Sequence, residues 1–277
     1  MSVRSEKAGL EKARSEKAGP VSAGRTGCRT AVVLQARLDS ARLPAKALLP
    51  LGGRPLICRV MEALRYVEAD VYVLASPENC AGQFGPLAEE TGFLFCPGPE
   101  EDVLGRYCLA IRRHSIDRVI RATADNPFVF ADAASAINAE ALSLGADYAA
   151  YGGLPYGAGV ESVSAEALLR AERETFPVPE GFPQSPEREH VCPYLYGHPE
   201  LFLLHRPLVR QEWRGPSMRI TVDTGEDYER CLLLWEALAS SPLSGTVGTG
   251  EAVIAAYRRL AASGHPEFQG RGYLESN

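Results

Sequence analysis

The chain of 277 residues carries 29 Lys/Arg against 35 Asp/Glu, a formal net charge of −6, with 45% hydrophobic and 23% charged residues. This is the composition of a globular protein, long enough to bury one large core or two modest ones. It excludes a membrane-spanning class, since no apolar run approaches the roughly 18 residues a spanning helix needs, and it argues against a broad nucleic-acid surface, which wants a basic face.

Charge is unevenly spread. Residues 1–29 hold seven Lys/Arg and three Asp/Glu (+4), which leaves 22 against 32 (−10) on the rest. An anionic ligand on so acidic a body has to be met by a local cluster of cations or by a metal. The hexapeptide RSEKAG occurs at 4–9 and again at 14–19, broken by Gly9, Gly19 and Pro20; residues 1–29 are expected to be a disordered basic tail. The segment has no apolar core of a secretory signal, and Glu6, Glu11 and Glu16 argue against a transit peptide, so a cytoplasmic location is expected. Seven cysteines (28, 58, 80, 96, 108, 192, 231) form no C-x-x-C pair. An odd count without metal-site spacing points to reduced thiols, several of them filling the core. His190 and Cys192 stand two apart but have no second ligand pair, so zinc is not expected.

From Thr30 short apolar runs alternate with helical patterns. The run 31–34 reads as a buried strand, followed by a loop holding Arg37, Ser40, Arg42 and Lys46. Gly52-Gly53-Arg54-Pro55 turns the chain, and Pro55 suits the first position of a helix reaching about residue 66. Strands are expected at 70–75, 93–96 and 117–123, and helices at 80–91, 102–114 and 132–144, with a further strand near 147–150. Such alternation implies βαβ units and a mostly parallel sheet. Residues 151–160 (YGGLPYGAGV) read as a loop, followed by a helix at 164–175, a Pro-rich turn, a helix broken at Pro193 and a strand at 201–206. The strand 217–222 (SMRITV) then leads into helices at 226–240 and 249–263. One α/β domain over 30–265 is expected, with a small inserted lobe at about 151–215 and a C-terminal tail from 266 to 277.

Three strand ends carry chemistry. Three cations directly after a buried strand are costly to gather unless an anion neutralises them, and in open α/β sheets ligands bind beyond the carboxyl ends of the strands. Asp125 follows VIRAT and Asp223 follows RITV. Two carboxylates at strand ends are a natural way to hold one Mg²⁺, with a triphosphate supplying further oxygens. Each has a structural alternative: Asp125-Asn126-Pro127 is a turn former, and Asp223-Thr224-x-Glu226 resembles a helix start, with Asp227 suited to the first turn.

QARLDSARLPAK resembles the signature of the sugar cytidylyltransferases, which attach CMP to acidic sugars, and in particular the branch named for spore coat polysaccharide biosynthesis protein F. The resemblance extends over about residues 30–240 and includes PEEDVLGRY at 99–107, RATADNPF at 121–128, PYGAGVESVSAEAL at 155–168, EREHVCPYLYGHPE at 187–200 and RITVDTGEDYE at 219–229. It implies the Rossmann-like nucleotide-diphospho-sugar transferase fold, a mixed sheet flanked by helices. It also implies that the loop from Ala36 to Lys46 wraps CTP, with Arg37, Arg42 and Lys46 facing the phosphates and Ser40 donating a hydrogen bond. Asp125 and Asp223 would bind Mg²⁺, and Asp102 and Arg106 would lie near the nucleoside. Gly157, Glu161, Arg188, Glu189 and His190 would belong to the acceptor side.

The implied reaction is in-line attack of a sugar hydroxyl, or a phosphate or phosphonate oxygen, on the α-phosphorus of CTP with pyrophosphate leaving. Arg42, Lys46, Asp125 and Asp223 would carry it by positioning and neutralising charge. The resemblance also implies a homodimer, with the inserted lobe contributing to the interface. The chain departs from the pattern at Ala45, where glycine commonly precedes the lysine, and at Tyr156, where an arginine is frequent. Bland readings stand beside several of these residues: His190 pairing with Glu187 or capping a helix, Glu161 preceding a cap at Ser164, Tyr194 and Tyr196 packing between lobes or across a dimer interface, and Leu232–Leu234 and Trp235 in the core. A glycosyltransferase of the same fold would call for Asp-x-Asp where this chain has Asp125-Asn126-Pro127; a non-catalytic nucleotide-binding subunit is the further alternative.

Overall fold

The computed structural model describes residues 27–40, 42–176, 186–240 and 249–268. The RSEKAG repeat, the Pro-rich turn at 177–185 and the last nine residues lie outside them. The central strand, β1 (Thr30–Gln35), is buried on both faces: Val32 and Leu34 enter one core, Ala31 and Val33 the other. That explains why it reads as an unbroken apolar run rather than an alternating one.

Two short strands, β2 (Pro50–Leu51) and β3 (Arg54–Pro55), form a separate antiparallel hairpin. β4 (Val71–Pro77) and β6 (Arg118–Thr123) flank β1, both parallel to it, and β5 (Leu94–Gly98) extends the parallel set beyond β4. Past β6 the sheet becomes mixed through β7 (Tyr148–Ala149), β8 (Glu161–Ser164) and β9 (Leu204–His205). β8 runs antiparallel to β6 and to β7, and β9 parallel to β7. The order of the seven strands is β5-β4-β1-β6-β8-β7-β9.

Helices cover both faces. Helix α1 (Leu56–Leu64), α2 (Ala81–Glu90) and α4 (Ala131–Leu144) pack on the Val32 side together with α8 (Gly225–Ala239) and α9 (Gly250–Ala262). The other face is covered by α3 (Val103–His114), α5 (Ala165–Glu174) and α7 (Pro193–Gly197), with the five-residue α6 (Pro186–His190) beside α3. Local signals set several ends. Asp102 caps α3 by accepting the Gly105 N–H at 2.8 Å, and Arg112, Arg113 and His114 sit in its last turn, where cations are favoured. Thr224 and Asp227 form a capping box at the start of α8.

Four expectations change. The segment 151–215 is no separate lobe: it inserts β8 into the main sheet between β6 and β7 and adds β9 at the edge. At four residues, β8 is too short to show alternation beside the helix that follows it. The expected strand 217–222 makes one isolated bridge, Tyr156 to Arg219, because its neighbours are loops; the Ile220 and Val222 N–H groups donate to the carbonyls of Tyr156 and Asp125 at 2.9 and 2.8 Å. The body starts before residue 30, since Arg29 N donates to Asp117 Oδ2 at 2.7 Å and its carbonyl accepts from Asp117 and Arg118. It also runs past 265: Phe268 is buried against Tyr257, ring centroids 4.8 Å apart. Six of the seven cysteines are buried and all are free thiols, and Trp235 is partly buried, roofed by Arg59 at 4.4 Å from its ring.

Candidate active site

The carboxyl ends of β1 and β6 and the extended segment 219–223 open onto one cleft of about 290 Å³. β1 delivers Gln35 and Ala36 to its wall, and the following loop adds Arg37, Asp39, Ser40, Arg42 and Lys46. The loop is pinned at its base, where Ser76 Oγ donates to the Ala36 carbonyl at 3.0 Å. Ala45 has φ 51° and ψ 28°, in the left-handed region, and Lys46 then opens a single 3-10 turn. A glycine would adopt that conformation without steric cost; alanine holds it under strain.

Lys46 joins the two aspartates. Its Nζ donates to Asp125 Oδ2 and Asp223 Oδ1, both at 2.9 Å, and to the Val222 carbonyl at 2.7 Å. Asp125 is aimed by its own strand end: Thr123 Oγ1 donates to Oδ1 at 2.6 Å, and Asn126 Nδ2 donates to Thr123 Oγ1 at 2.9 Å. The turn-forming role of Asp125-Asn126-Pro127 and its place in the cleft therefore coexist.

Asp223 is not the helix cap; Thr224 is, which leaves the Asp223 carboxylate free for the cleft. Its Oδ1 also meets Arg42 at 3.1 Å, and its Oδ2 accepts from Arg219 at 2.8 Å. Burial pushes this carboxyl upward, but the hydrogen bond and charge of Lys46, with Arg42 and Arg219, outweigh it and hold Asp223 below the usual carboxylate range. Behind it Asp227 accepts two bonds from Arg219, at 2.7 and 2.9 Å, one from Arg230 at 2.8 Å, and the N–H groups of Asp223 and Thr224. Arg219 and Arg230 overcome burial here too and hold the Asp227 carboxyl well below its ordinary value.

Of the residues expected from sequence, Ala36, Arg37, Ser40, Arg42, Lys46, Asp125, Asp223, Glu189 and His190 line this cleft. Asp102, Arg106, Gly157, Glu161 and Arg188 do not. The carboxylate of Asp102 is taken up by the α3 cap and by an ion pair with Arg188. Arg106 is buried and donates to the carbonyls of Pro99 and Glu100 at 2.6 and 2.7 Å, which shapes the loop before α3. Gly157 has φ 97°, and a Cβ there would stand 2.7 Å from Thr221 N, a constraint of close packing. Glu161 is paired with Arg121 and accepts from Tyr148 Oη at 2.8 Å. His190 makes no ion pair with Glu187 and ends α6 at the cleft rim.

Gln35, Asp39, Val103 and Thr123 in the lining, and Arg219 behind Asp223, are not among the residues expected from sequence. Arg219, Asp223 and Asp227 recur every four residues, and one cation spaced to reach two carboxylates was the available signal. Tyr156, where an arginine was expected, lies against Arg219, whose guanidinium carbon is 4.8 Å from the ring centroid.

The chemistry follows from this layout. Among the described residues Arg37 forms no ion pair, so it offers unspent positive charge at the cleft, beside the largely exposed Arg42 that is paired with Asp223. No described cluster of three or more His, Cys, Asp or Glu side chains is arranged for a metal. Yet two carboxylates and one carbonyl already converge on a cation, the Lys46 ammonium. An all-oxygen set of this kind suits a hard divalent ion whose other ligands come from phosphate and water. No described helix is long and apolar enough to cross a membrane.

The family described as Cytidylyltransferase matches residues 31–241. Spore coat polysaccharide biosynthesis protein SpsF of Bacillus subtilis (strain 168) is 30% identical over 219 residues, 76% of this chain and 88% of that protein. Among solved structures, a cytidylyltransferase from Leptospira borgpetersenii serovar Hardjo-bovis (strain JB197) is similar at TM-score 0.73 and 21% identity, over 90% of this chain and 99% of that one. A CMP:2-keto-3-deoxy-manno-octonic acid synthetase complexed with CTP is similar at TM-score 0.56 and 16% identity, over 75% of this chain and 98% of that one. These likenesses identify the sheet and its helices as the Rossmann-like fold of nucleotidyltransferases.

Proposed function

The chain belongs to the cytidylyltransferase family of CMP-transferring enzymes, and from that premise we propose that it moves CMP from CTP to an acidic sugar or a related phospho or phosphono acceptor, for synthesis of a surface polysaccharide or glycoconjugate. The observation that carries this reading is the meeting of Lys46, Arg42, Asp125 and Asp223 at the carboxyl ends of the strands, with Arg37 beside them. The acceptor class draws on the polysaccharide role named for the Bacillus relative and the sugar acid named for the CTP-bound structure.

In this reading the triphosphate lies along the loop from Ala36 to Lys46, where Arg37 and Arg42 meet its oxygens as forked donors. Asp125 and Asp223 would hold Mg²⁺, which when bound supplies positive charge to the α-phosphate. Thr123 and Arg219 fix the orientation of the two carboxylates before substrate arrives, so little reorganisation is left for the reaction itself. Glu189 and His190, on the rim contributed by α6, face the acceptor. The reading also takes the protein to be a cytoplasmic homodimer, which sedimentation of the purified chain would test.

The test is pyrophosphate release with each of the four NTPs against a panel of sugar acids, sugar phosphates and phosphonates. Turnover specific to CTP with one acceptor class is the expected result. CTP binding without turnover on any acceptor would instead make the chain a non-catalytic nucleotide-binding subunit.

A further inference from the structure

Lys46 uses all it has. An ammonium carries three donors, and those of Lys46 are directed at Asp125 Oδ2, Asp223 Oδ1 and the Val222 carbonyl within 2.9 Å. None is left for a phosphate. The carboxylates are in the same position, because the oxygens they turn toward the cleft already face a positive charge. So Lys46 as a phosphate ligand and the two aspartates as metal ligands describe a state that this arrangement must first leave.

We infer that Lys46 is the resident cation of the Asp125–Asp223 pair and makes that pair selective for a metal–nucleotide complex over the free metal ion. The inference rests on the proposed function, in which those aspartates are the metal ligands. The reason is charge balance. A divalent ion arriving alone must displace an ammonium whose side chain is only 16% exposed, leaving two like charges close together with no new anion between them. A triphosphate arriving with the metal supplies that anion, so Lys46 exchanges two carboxylates for phosphate while the metal takes its place.

Geometry favours a swing of the side chain alone. The backbone around Lys46 is tied on both sides, with Leu48 N donating to the Ala45 carbonyl at 2.8 Å and Leu49 N to the Lys46 carbonyl at 3.2 Å. Lysine suits the task because its charge sits at the end of a flexible four-carbon stem, whereas a planar guanidinium would hold a carboxylate in a forked pair. The neighbouring cations have other duties. Arg42 also meets Asp223 Oδ1, at 3.1 Å, but from a side chain 66% exposed and without reaching Asp125, and Arg219 is shared between Asp223 and Asp227 through the other Asp223 oxygen.

The test is Mn²⁺ binding to the full chain, read by calorimetry and by the electron paramagnetic resonance of free Mn²⁺, with and without CTP and with no acceptor present. Wild-type protein is expected to bind Mn²⁺ alone weakly and to gain affinity when CTP is added. Lys46→Gln should bind Mn²⁺ alone about tenfold tighter than wild type, the factor worth roughly one charge-assisted hydrogen bond. Adding Asp125→Asn should remove that gain. If Lys46→Gln binds Mn²⁺ alone no tighter than wild type while wild type still binds it with CTP, the resident-cation inference is overturned and the metal site stands. If wild type with CTP binds no Mn²⁺, the metal-site reading falls and takes the inference with it. A measurement on unaltered protein guards against a misfolded variant. The Lys46 Nζ resonance should stay in place with Mg²⁺ alone and move with Mg²⁺ and CTP together; movement with Mg²⁺ alone would overturn the inference.

Discussion

Arg188 and Asp102, 86 positions apart in the chain, form a two-contact ion pair in which Arg188 Nε lies 3.1 Å from Asp102 Oδ1 and its Nη2 meets Oδ2. The pair ties α6, which carries Glu189 and His190 to the cleft rim, to the start of α3. Directly after His190 the chain passes through Val191 at φ 74°, a conformation a β-branched residue adopts only when its surroundings impose it. Cys192 and Leu195, both buried, anchor the far side. The rim is thus held in place at both ends.

Asp102 does two jobs that substitutions separate. Asp102→Asn keeps a side chain that caps helices well but gives up the ion pair, leaving Arg188, 6% exposed, without its anion; a loss of about 2 kcal/mol is expected. Asp102→Ala loses the cap as well and should cost about 1 kcal/mol more. Urea unfolding of the two variants beside wild type measures the difference. Equal stability of the two variants would mean the cap contributes nothing.

Ala45 is the position where one substitution should stabilise the protein. At φ 51° alanine bears a left-handed cost of about 1–2 kcal/mol, part of which glycine returns through its freer unfolded chain. Ala45→Gly is expected to raise the unfolding free energy by about 0.5–1 kcal/mol. A lower midpoint in urea would show that the methyl group makes contacts worth more than the strain.

The sequence made the left half of the fold readable and the right half much less so. The run 31–34 is buried on both faces, so its apolar character alone marks it as a strand, and in 117–123 the short apolar stretch does the same, Ile120 and Ala122 entering one core and Val119 the other. β8 is four residues long with glutamate and two serines in it, and what holds it in the sheet is its register against β6, Arg121 opposite Glu161, which no local pattern encodes. The cleft was legible where cations and carboxylates stand at strand ends. It was less legible for Asp102, Arg106 and Glu161, which the resemblance placed near the ligands: Asp102 and Glu161 are in ion pairs with Arg188 and Arg121, and Arg106 is bonded to backbone carbonyls, partners far away in sequence or in the main chain that no local pattern shows.

Lys46→Ala and Asp223→Ala test the cleft directly. Each removes a group whose charge would balance the triphosphate or its metal, and a fall in kcat of about 10²–10³-fold is expected, the size seen when one preorganised electrostatic contact is lost. Pyrophosphate release measures it, with circular dichroism as the control for folding. Undiminished turnover in both variants would reject the assignment of the cleft.

Acid should destabilise the protein through Asp223 and Asp227. Both carboxyls lie below their ordinary value in the folded state, held there by Lys46, Arg42, Arg219 and Arg230 against the upward push of burial. A carboxyl depressed on folding binds fewer protons folded than unfolded, so its stabilisation is complete above the unfolded pKa of about 3.9 and is lost as pH falls below it toward the folded value. Unfolding free energy from urea titrations should therefore hold level from neutrality to about pH 5 as far as these two groups are concerned, then drop. Asp227→Asn gives up the charge at all pH values and should lower stability at neutrality while flattening the acid decline. A variant that is weaker at pH 7 yet declines as steeply as wild type below pH 4 would place the acid sensitivity in other carboxylates.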